Sequence, residues 1–190
     1  LDSKVALLKK AAASYGSSRE FAFHKKATEE QAKLLQAQKG LQESLKQEFI
    51  GLPLGDTLYM VILHGDQVKA DRLKKDFTVP DKRFWWIKVK ALAAANNFSE
   101  LERFAKSKKS PIGYEPFVEE CLIKNNRFEA KKYIERCPEE ARVPYYCQIA
   151  AFEEAVELAA KLKSEDMFQA IAQACNGRRD VLKMISDRRP

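Results

Sequence analysis

Side chains able to do chemistry are few and scattered along this chain. The only histidines, His24 and His64, lie far apart with no HxxxH or HExxH spacing, which argues against a metal site. The four cysteines, Cys121, Cys137, Cys147 and Cys175, form no CxxC pair and each falls within or at the end of a helical pattern. That placement predicts buried, reduced thiols rather than a metal or disulfide framework. Adjacent carboxylates at 29-30, 119-120, 139-140 and 153-154 are what solvated helix faces carry. There is no Gly-rich phosphate loop and no GxSxG elbow. No catalytic residue, cofactor or metal ligand is assigned, and the chain is predicted not to be an enzyme.

The residue types that bind proteins are more suggestive. Both tryptophans sit side by side in DKRFWW, residues 81–86, and a helix would turn them about 100° apart. With Trp85 at 0°, Val89 falls at about 40° and Leu92 at about 340°, a core stripe. Trp86 falls at about 100°, next to Lys90 at about 140°, Arg83 at about 160°, Ala94 at about 180° and Ile87 at about 200°. This second face has two readings. Trp86 and Ile87 pack against preceding helices, with the Arg83 and Lys90 stems laid over apolar surface. Otherwise Arg83, with Trp86 beside it, is a binding hot spot, for which Trp and Arg are the enriched residue types.

The elements that would carry these residues are helical. Gly and Pro number seven each and hydrophobic residues make up 45%, a balance that favours helix over sheet. SKVALLKKAAAS (3–14) predicts a first helix, ended by Gly16-Ser17-Ser18, which also offers the next N-cap. One long helix is predicted over 19–49. Phe23, Ala27, Leu34, Leu41, Leu45 and Phe49 lie at helical spacing, and the stripe is interrupted by Glu30, Gln31, Gln38 and Gly40. Its second half reads as core and its first half as a more polar surface. After the turn IGLPLGD, in which Asp56 is read as a cap, short helices follow at about 57–64, 66–77, 81–95, 97–107, 114–124, 126–136, 143–149, 151–162, 165–175 and 178–187.

The breaks between these helices resemble one another. HGDQVKADRL, ANNFSELERF, KNNRFEAKKY and AAFEEAVELA each turn and then place an apolar residue inside the next helix: Val68, Phe98, Phe128 and Phe152, separated by 30, 30 and 24 positions. A recurrence of this length predicts an all-α fold, an α-solenoid of stacked antiparallel helical hairpins with one long helix near the N-terminus. A compact all-α bundle is the alternative. The chain reads as one solenoid segment over 1–190, with 1–95 the partner-binding part and 96–190 C-terminal hairpins.

The formal charge of +7 invites a nucleic-acid reading. Acidic and basic residues are interleaved along most helices, however, and KSKKS (106–110) lacks the interleaved aromatics of a strand-binding platform, so nucleic acid is not an expected partner. No apolar run approaches the ~20 residues of a membrane span. The chain opens on Leu1 without a signal-peptide pattern, which predicts a segment of a longer protein.

FTVPDKRFWWIKVKALA, followed by FSELERFAKSKKSPIGYEPFVEECLIKNNRFEAKKYI, closely resembles the C-terminal region of the vacuolar protein sorting-associated protein 16 family. The densest match runs over about 57–135, and DKR-x-WW and KSKKSPIGY-x-PF are its most specific motifs. The resemblance implies a non-enzymatic α-solenoid, the class C subunit of the HOPS and CORVET tethering complexes. It would dock the SM-family, syntaxin-binding subunit (vacuolar protein sorting-associated protein 33) beside the other class C subunits, and act on SNAREs indirectly. Its setting would be the cytosolic face of late endosomes, lysosomes or vacuoles, in protein transport, membrane fusion and autophagy. The SM contact would fall in roughly 19–95, which points to Ala27 and Arg83, with Trp86 and Lys90 on the Arg83 face. The last helices, especially CPEEARVPYYCQIAAFEE, depart from the family pattern. A reading of another class is a membrane-surface or phosphoinositide-binding module that uses Lys106, Lys108 and Lys109.

Overall fold

Every turn that reverses this chain must satisfy the last carbonyls of one helix and the first N–H groups of the next. A computed structural model describes residues 1–16 and 19–189, and of Arg19 the backbone alone. The described residues form α-helices and one 3-10 turn, with no strand among them. They divide into two units, Leu1–Ala91 and Leu92–Pro190.

The first unit holds α1 (Asp2–Tyr15), the 3-10 turn Arg19–Phe21, α2 (Ala22–Leu45), α3 (Leu54–Leu63), α4 (Gln67–Asp76) and most of α5 (Asp81–Ala94). α1 packs on α2 and α3 on α4 as antiparallel neighbours. The second unit continues with α6 (Phe98–Ser107), α7 (Glu115–Ile123), α8 (Arg127–Ile134), α9 (Glu139–Gln148), α10 (Phe152–Leu162), α11 (Glu165–Ala174) and α12 (Arg179–Arg188). There α7 packs on α8, α9 on α10, and α10 also on α11 and α12. Helical hairpins stacked in this way are the packing expected of an α-solenoid, and the all-α reading holds throughout the described residues.

One turn recurs across both units. Gly65, Thr78, Asn96, Asn125, Ala150 and Lys163 all take positive φ, between 49° and 81°. In each turn the next residue's N–H reaches back five positions to a helix carbonyl: Asp66 to Val61 at 3.1 Å, Asn97 to Leu92 at 2.9 Å, Asn126 to Cys121 at 2.9 Å, Ala151 to Tyr146 at 2.8 Å. The left-handed residue donates to the carbonyl three positions back, as Asn96 does to Ala93 at 3.0 Å. This pair of bonds is the Schellman closure of a helix C-terminus. The residue that closes it then caps the following helix. Asp66, Asn97 and Asn126 accept the backbone N–H of Lys69, Glu100 and Glu129 at 2.9, 3.2 and 3.0 Å.

The true register of the repeat is therefore set by the polar cap, and the apolar residues are one step out of phase. Phe98 and Phe152 are first helical residues and are half-buried and buried, whereas Val68 and Phe128 are second residues and are 80% and 78% exposed. One position rotates a side chain by about 100°, enough to move it from core to solvent.

Several predicted boundaries shift for local reasons. The long helix ends at Leu45, where Lys46 turns left-handed, and Phe49 is fully buried outside it. α3 begins after Pro53, so Asp56 lies inside its first turn rather than at the cap. α9 begins at Glu139 and runs through Pro144, which faces solvent. Pro138 and the acidic pair Glu139-Glu140 start the helix, and Pro144 costs a single bond to a carbonyl that water can reach. Of the expected Gly16-Ser17-Ser18 break, Ser17 and Ser18 lie outside the described residues. Three of the four cysteines are buried as expected, with Cys147 half-buried, and all four are free thiols. Burial pushes the Cys121 and Cys137 thiols up to about 12.

Gln38, an apparent defect in the α2 stripe, is fully buried and holds the corner between α2 and α3. Its amide donates to the Leu52 carbonyl at 2.6 Å and to the Thr57 hydroxyl at 2.8 Å, and its oxygen accepts the Gly51 N–H at 3.0 Å. Replacing it with Leu removes all three bonds at once from a part-buried corner and leaves the buried Thr57 hydroxyl without its donor. Gln38→Leu is expected to cost about 2–3 kcal/mol in chemical denaturation, and a loss below 1 kcal/mol would contradict the assignment. The turn at Ala150-Ala151 has the Schellman bonds without a glycine or asparagine in the left-handed position and without a side-chain cap. Ala151→Asn, which copies the Asn97 and Asn126 caps, is expected to stabilise by about 1 kcal/mol, and Ala150→Gly by about 0.5 kcal/mol, read as a raised denaturation midpoint at unchanged slope.

Candidate partner-binding surface

α5 starts after Pro80 with Asp81 in its first turn. Trp85 and Val89, 1% and 0% exposed, form the predicted core stripe. Trp86 is 47% exposed, so the second face opens to solvent. Lys82, Arg83 and Lys90 are exposed with it, and Ile87 is half-buried. The reading in which Trp86 is covered by preceding helices does not hold, whereas Ile87 does pack inward, against α3. The acid of this helix, Asp81, is engaged by Lys74, whose ammonium also lies 4.9 Å over the Phe84 ring. The outer face of α5 is thus aromatic and basic.

Arg83 makes no hydrogen bond or ion pair among the described residues. Its guanidinium lies against Gly55 in the first turn of α3, where a Cβ on Gly55 would stand 3.3 Å from Nη2 and 3.9 Å from Ile87 Cδ1. Gly55 was legible in the sequence only as part of a turn. In the structure it is the residue of α3 that the Arg83 guanidinium approaches.

Ala27 sits on α2, not on the Arg83 face. The stripe it belongs to is covered along the second half of the helix, where Gln38 and Leu41 are buried and Leu34 and Leu45 half-buried. Along the first half the same stripe is bare: Ala27 is exposed and Phe23 is 78% exposed. α1 does not cover it, because α1 packs Val5 and Leu8 against Ala32 and Leu35, turned about 80–140° away from Ala27. Beside Phe23, the Phe21, Tyr15 and His24 rings lie at centroid distances of 5.7 to 6.1 Å, an exposed aromatic group at the α1–α2 corner. The interruption of the stripe at Glu30 and Gln31 is the sequence signal for this bare half. No hydrogen bond, ion pair or ring contact joins Ala27 to Arg83, Trp86 or Lys90 among the described residues.

The charge is unevenly shared. Residues 1–91 hold 17 Lys and Arg against 11 Asp and Glu, and residues 92–190 hold 17 against 16. Nearly all of the +7 therefore belongs to the first unit. In the second unit Lys106 is bound to Glu102 at 2.5 Å, and Lys132 bridges Glu102 and buried Glu129 at 2.6 and 2.8 Å. Lys108 and Lys109 are exposed beyond α6.

Among the described residues no cluster of three His, Cys, Asp or Glu is placed to hold a metal, and no helix is long and apolar enough to cross a membrane. A cleft of about 360 Å³ between α2 and α4 is lined by Ala37, Gly40, Leu41, Ser44 and Leu73 with Lys69, Arg72 and Asp76.

The family model for the Vps16 C-terminal region matches residues 1–188. The chain belongs to the Vps16 C-terminal region family. It is 43% identical over 162 residues to a vacuolar protein sorting-associated protein 16 homolog of Dictyostelium discoideum, covering 84% of this chain and 19% of that protein. A homolog of the same name from Drosophila melanogaster is 42% identical over 128 residues, 67% of this chain and 15% of that protein. Protein VACUOLELESS1 of Arabidopsis thaliana is 37% identical over 160 residues, 83% and 19% of the two chains. The chain thus spans between 15% and 19% of the length of these relatives.

In the second unit, Glu102 offers a direct check on the ion-pair network. The Lys106 and then the Lys132 ammonium hold its carboxyl down at about 2. A depressed folded-state value stabilises above the ordinary carboxylate range, and that contribution is lost as pH falls toward about 2. In Lys132→Met the Glu102 midpoint is expected to rise, followed by carboxyl-carbon NMR. An unmoved midpoint would remove Lys132 from the network.

Proposed function

We propose that this chain is a non-enzymatic scaffold segment of a vacuolar protein sorting complex, and that its first 95 residues recruit an SM-family, syntaxin-binding subunit. Two considerations support it: relatives in Dictyostelium and Drosophila are named for vacuolar protein sorting, and α5 presents an exposed aromatic and basic face. The whole assembly would be the HOPS or CORVET tether, acting with the other class C subunits to promote SNARE-mediated fusion. Its place would be peripheral, on the cytosolic side of late endosomes, lysosomes or vacuoles.

The observation that carries the reading is Arg83. A guanidinium without a carboxylate partner, beside a half-exposed tryptophan and two exposed lysines on one helix, is a surface prepared for an acidic or carbonyl-rich partner. The bare stripe at Phe23 and Ala27 supplies the apolar part, and the small Ala27 lets another backbone come close. The excess positive charge of residues 1–91 would speed encounter with an acidic partner face.

Arg83→Glu is expected to abolish capture of the SM-family subunit, with helicity by circular dichroism unchanged. Ala27→Asp would do the same by placing an unpaired charge in the contact, at a cost of about 3–5 kcal/mol, or more than a hundredfold in affinity. Capture at the wild-type level by either folded variant would overturn that residue's assignment.

A further inference from the structure

Gly55 is the second residue of α3, and its backbone is helical: no positive φ demands a glycine there. In a helix a glycine is about 1 kcal/mol worse than alanine. What it gives instead is space. Gly113 also has a close neighbour, but it is Glu115, two positions on, and at Gly16 the Lys25 Nζ of α2 comes as near, at 3.3 Å, beside a backbone carbonyl at the helix end. At Gly55 the neighbour is the guanidinium of a different helix, Nη2 of Arg83, at a distance tighter than an ordinary van der Waals contact for an added Cβ.

Arg83 has a long, freely rotating stem, and an exposed arginine ordinarily loses side-chain entropy when a partner fixes it. Here no ion pair fixes it beforehand. The constraint is shape: the planar group lies against the bare peptide of Gly55, with Ile87 beside it. We infer that Gly55 is a positioning residue for Arg83, whose absent side chain lets the guanidinium rest on α3 with its donors turned outward to a carboxylate of the partner. The inference deepens the proposed SM-subunit contact and rests on that reading for its functional consequence. The positioning itself does not.

The two parts are tested separately. In Gly55→Ala the Cβ displaces the guanidinium, and the Arg83 Nε–H resonance is expected to move in ¹⁵N-resolved NMR while the melting temperature holds or rises, since alanine is the better helix former. An unmoved resonance would overturn the positioning role whatever the partner. For binding, titration calorimetry with the SM-family subunit is expected to show Gly55→Ala weakened about threefold and Gly55→Leu at least about tenfold, the latter equivalent to about 1.4 kcal/mol. In the Arg83→Ala background Gly55→Leu should add nothing further, because it acts only through that side chain. An equal loss in both backgrounds, or full affinity in Gly55→Leu, would overturn the inference. Wild-type affinity in Arg83→Glu would instead remove the Arg83 contact, and the functional half of the inference with it, and leave the NMR result standing.

Discussion

The constraint on which the rest of this structure depends is the turn that closes one helix and caps the next with almost no connecting chain. A left-handed residue folds the backbone back, the following N–H bonds a carbonyl five positions earlier, and that same residue's side chain accepts an N–H of the new helix. Orphan groups of both termini are thereby satisfied within a few residues. With the turn fixed, neighbouring helices must run antiparallel and close together. Each hairpin can then bury only part of its surface against its own partner and needs the next hairpin for the remainder.

That economy explains what was legible in the sequence. Gly65-Asp66, Asn96-Asn97 and Asn125-Asn126 are turn and cap residues by type, so the helices and the repeat could be read from them. The Val68, Phe98, Phe128 and Phe152 recurrence reads as the same signal but mixes two helical positions, and only Phe98 and Phe152 face inward. Ala150 and Ala151 form the same turn with neither expected residue type, which shows that tertiary packing can hold it without local help. The sequence predicts a helix from 143, whereas α9 begins at Glu139 and carries Pro144 in its interior. A strong local signal against helix was outweighed because the bond it removes belonged to an exposed carbonyl.

The candidate surface was legible to the extent that it follows from angles on a single helix. Trp85 and Trp86 separate into core and solvent as a 100° step requires, and Arg83 and Lys90 share the exposed side. The bare half of α2 could also be seen, since its stripe weakens toward Phe23. What a single helix cannot show is which residue of another element meets it. Gln38 read as an interruption and is the buried amide that holds the α2–α3 corner. Gly55 read as a turn glycine and is a clearance for a side chain nearly thirty positions on. Both depend on long-range proximity, to which sequence spacing is blind.

The two faces also differ in how they would contribute to binding. A bare alanine and phenylalanine stripe supplies contact area and excludes water, but it selects weakly among apolar partners. A charged group selects strongly and carries a desolvation cost that falls only when its partner is well placed. Arg83 meets that requirement by resting on backbone rather than on an acid of its own chain. Had a neighbouring carboxylate held it, the partner would have had to break an ion pair before forming another. Held by shape alone, the guanidinium keeps its donors available and has less freedom to lose, and the excess charge of the first unit favours the approach of an acidic surface. The same helix can therefore turn Trp85 into the core and offer Arg83 to a partner without either role straining the other.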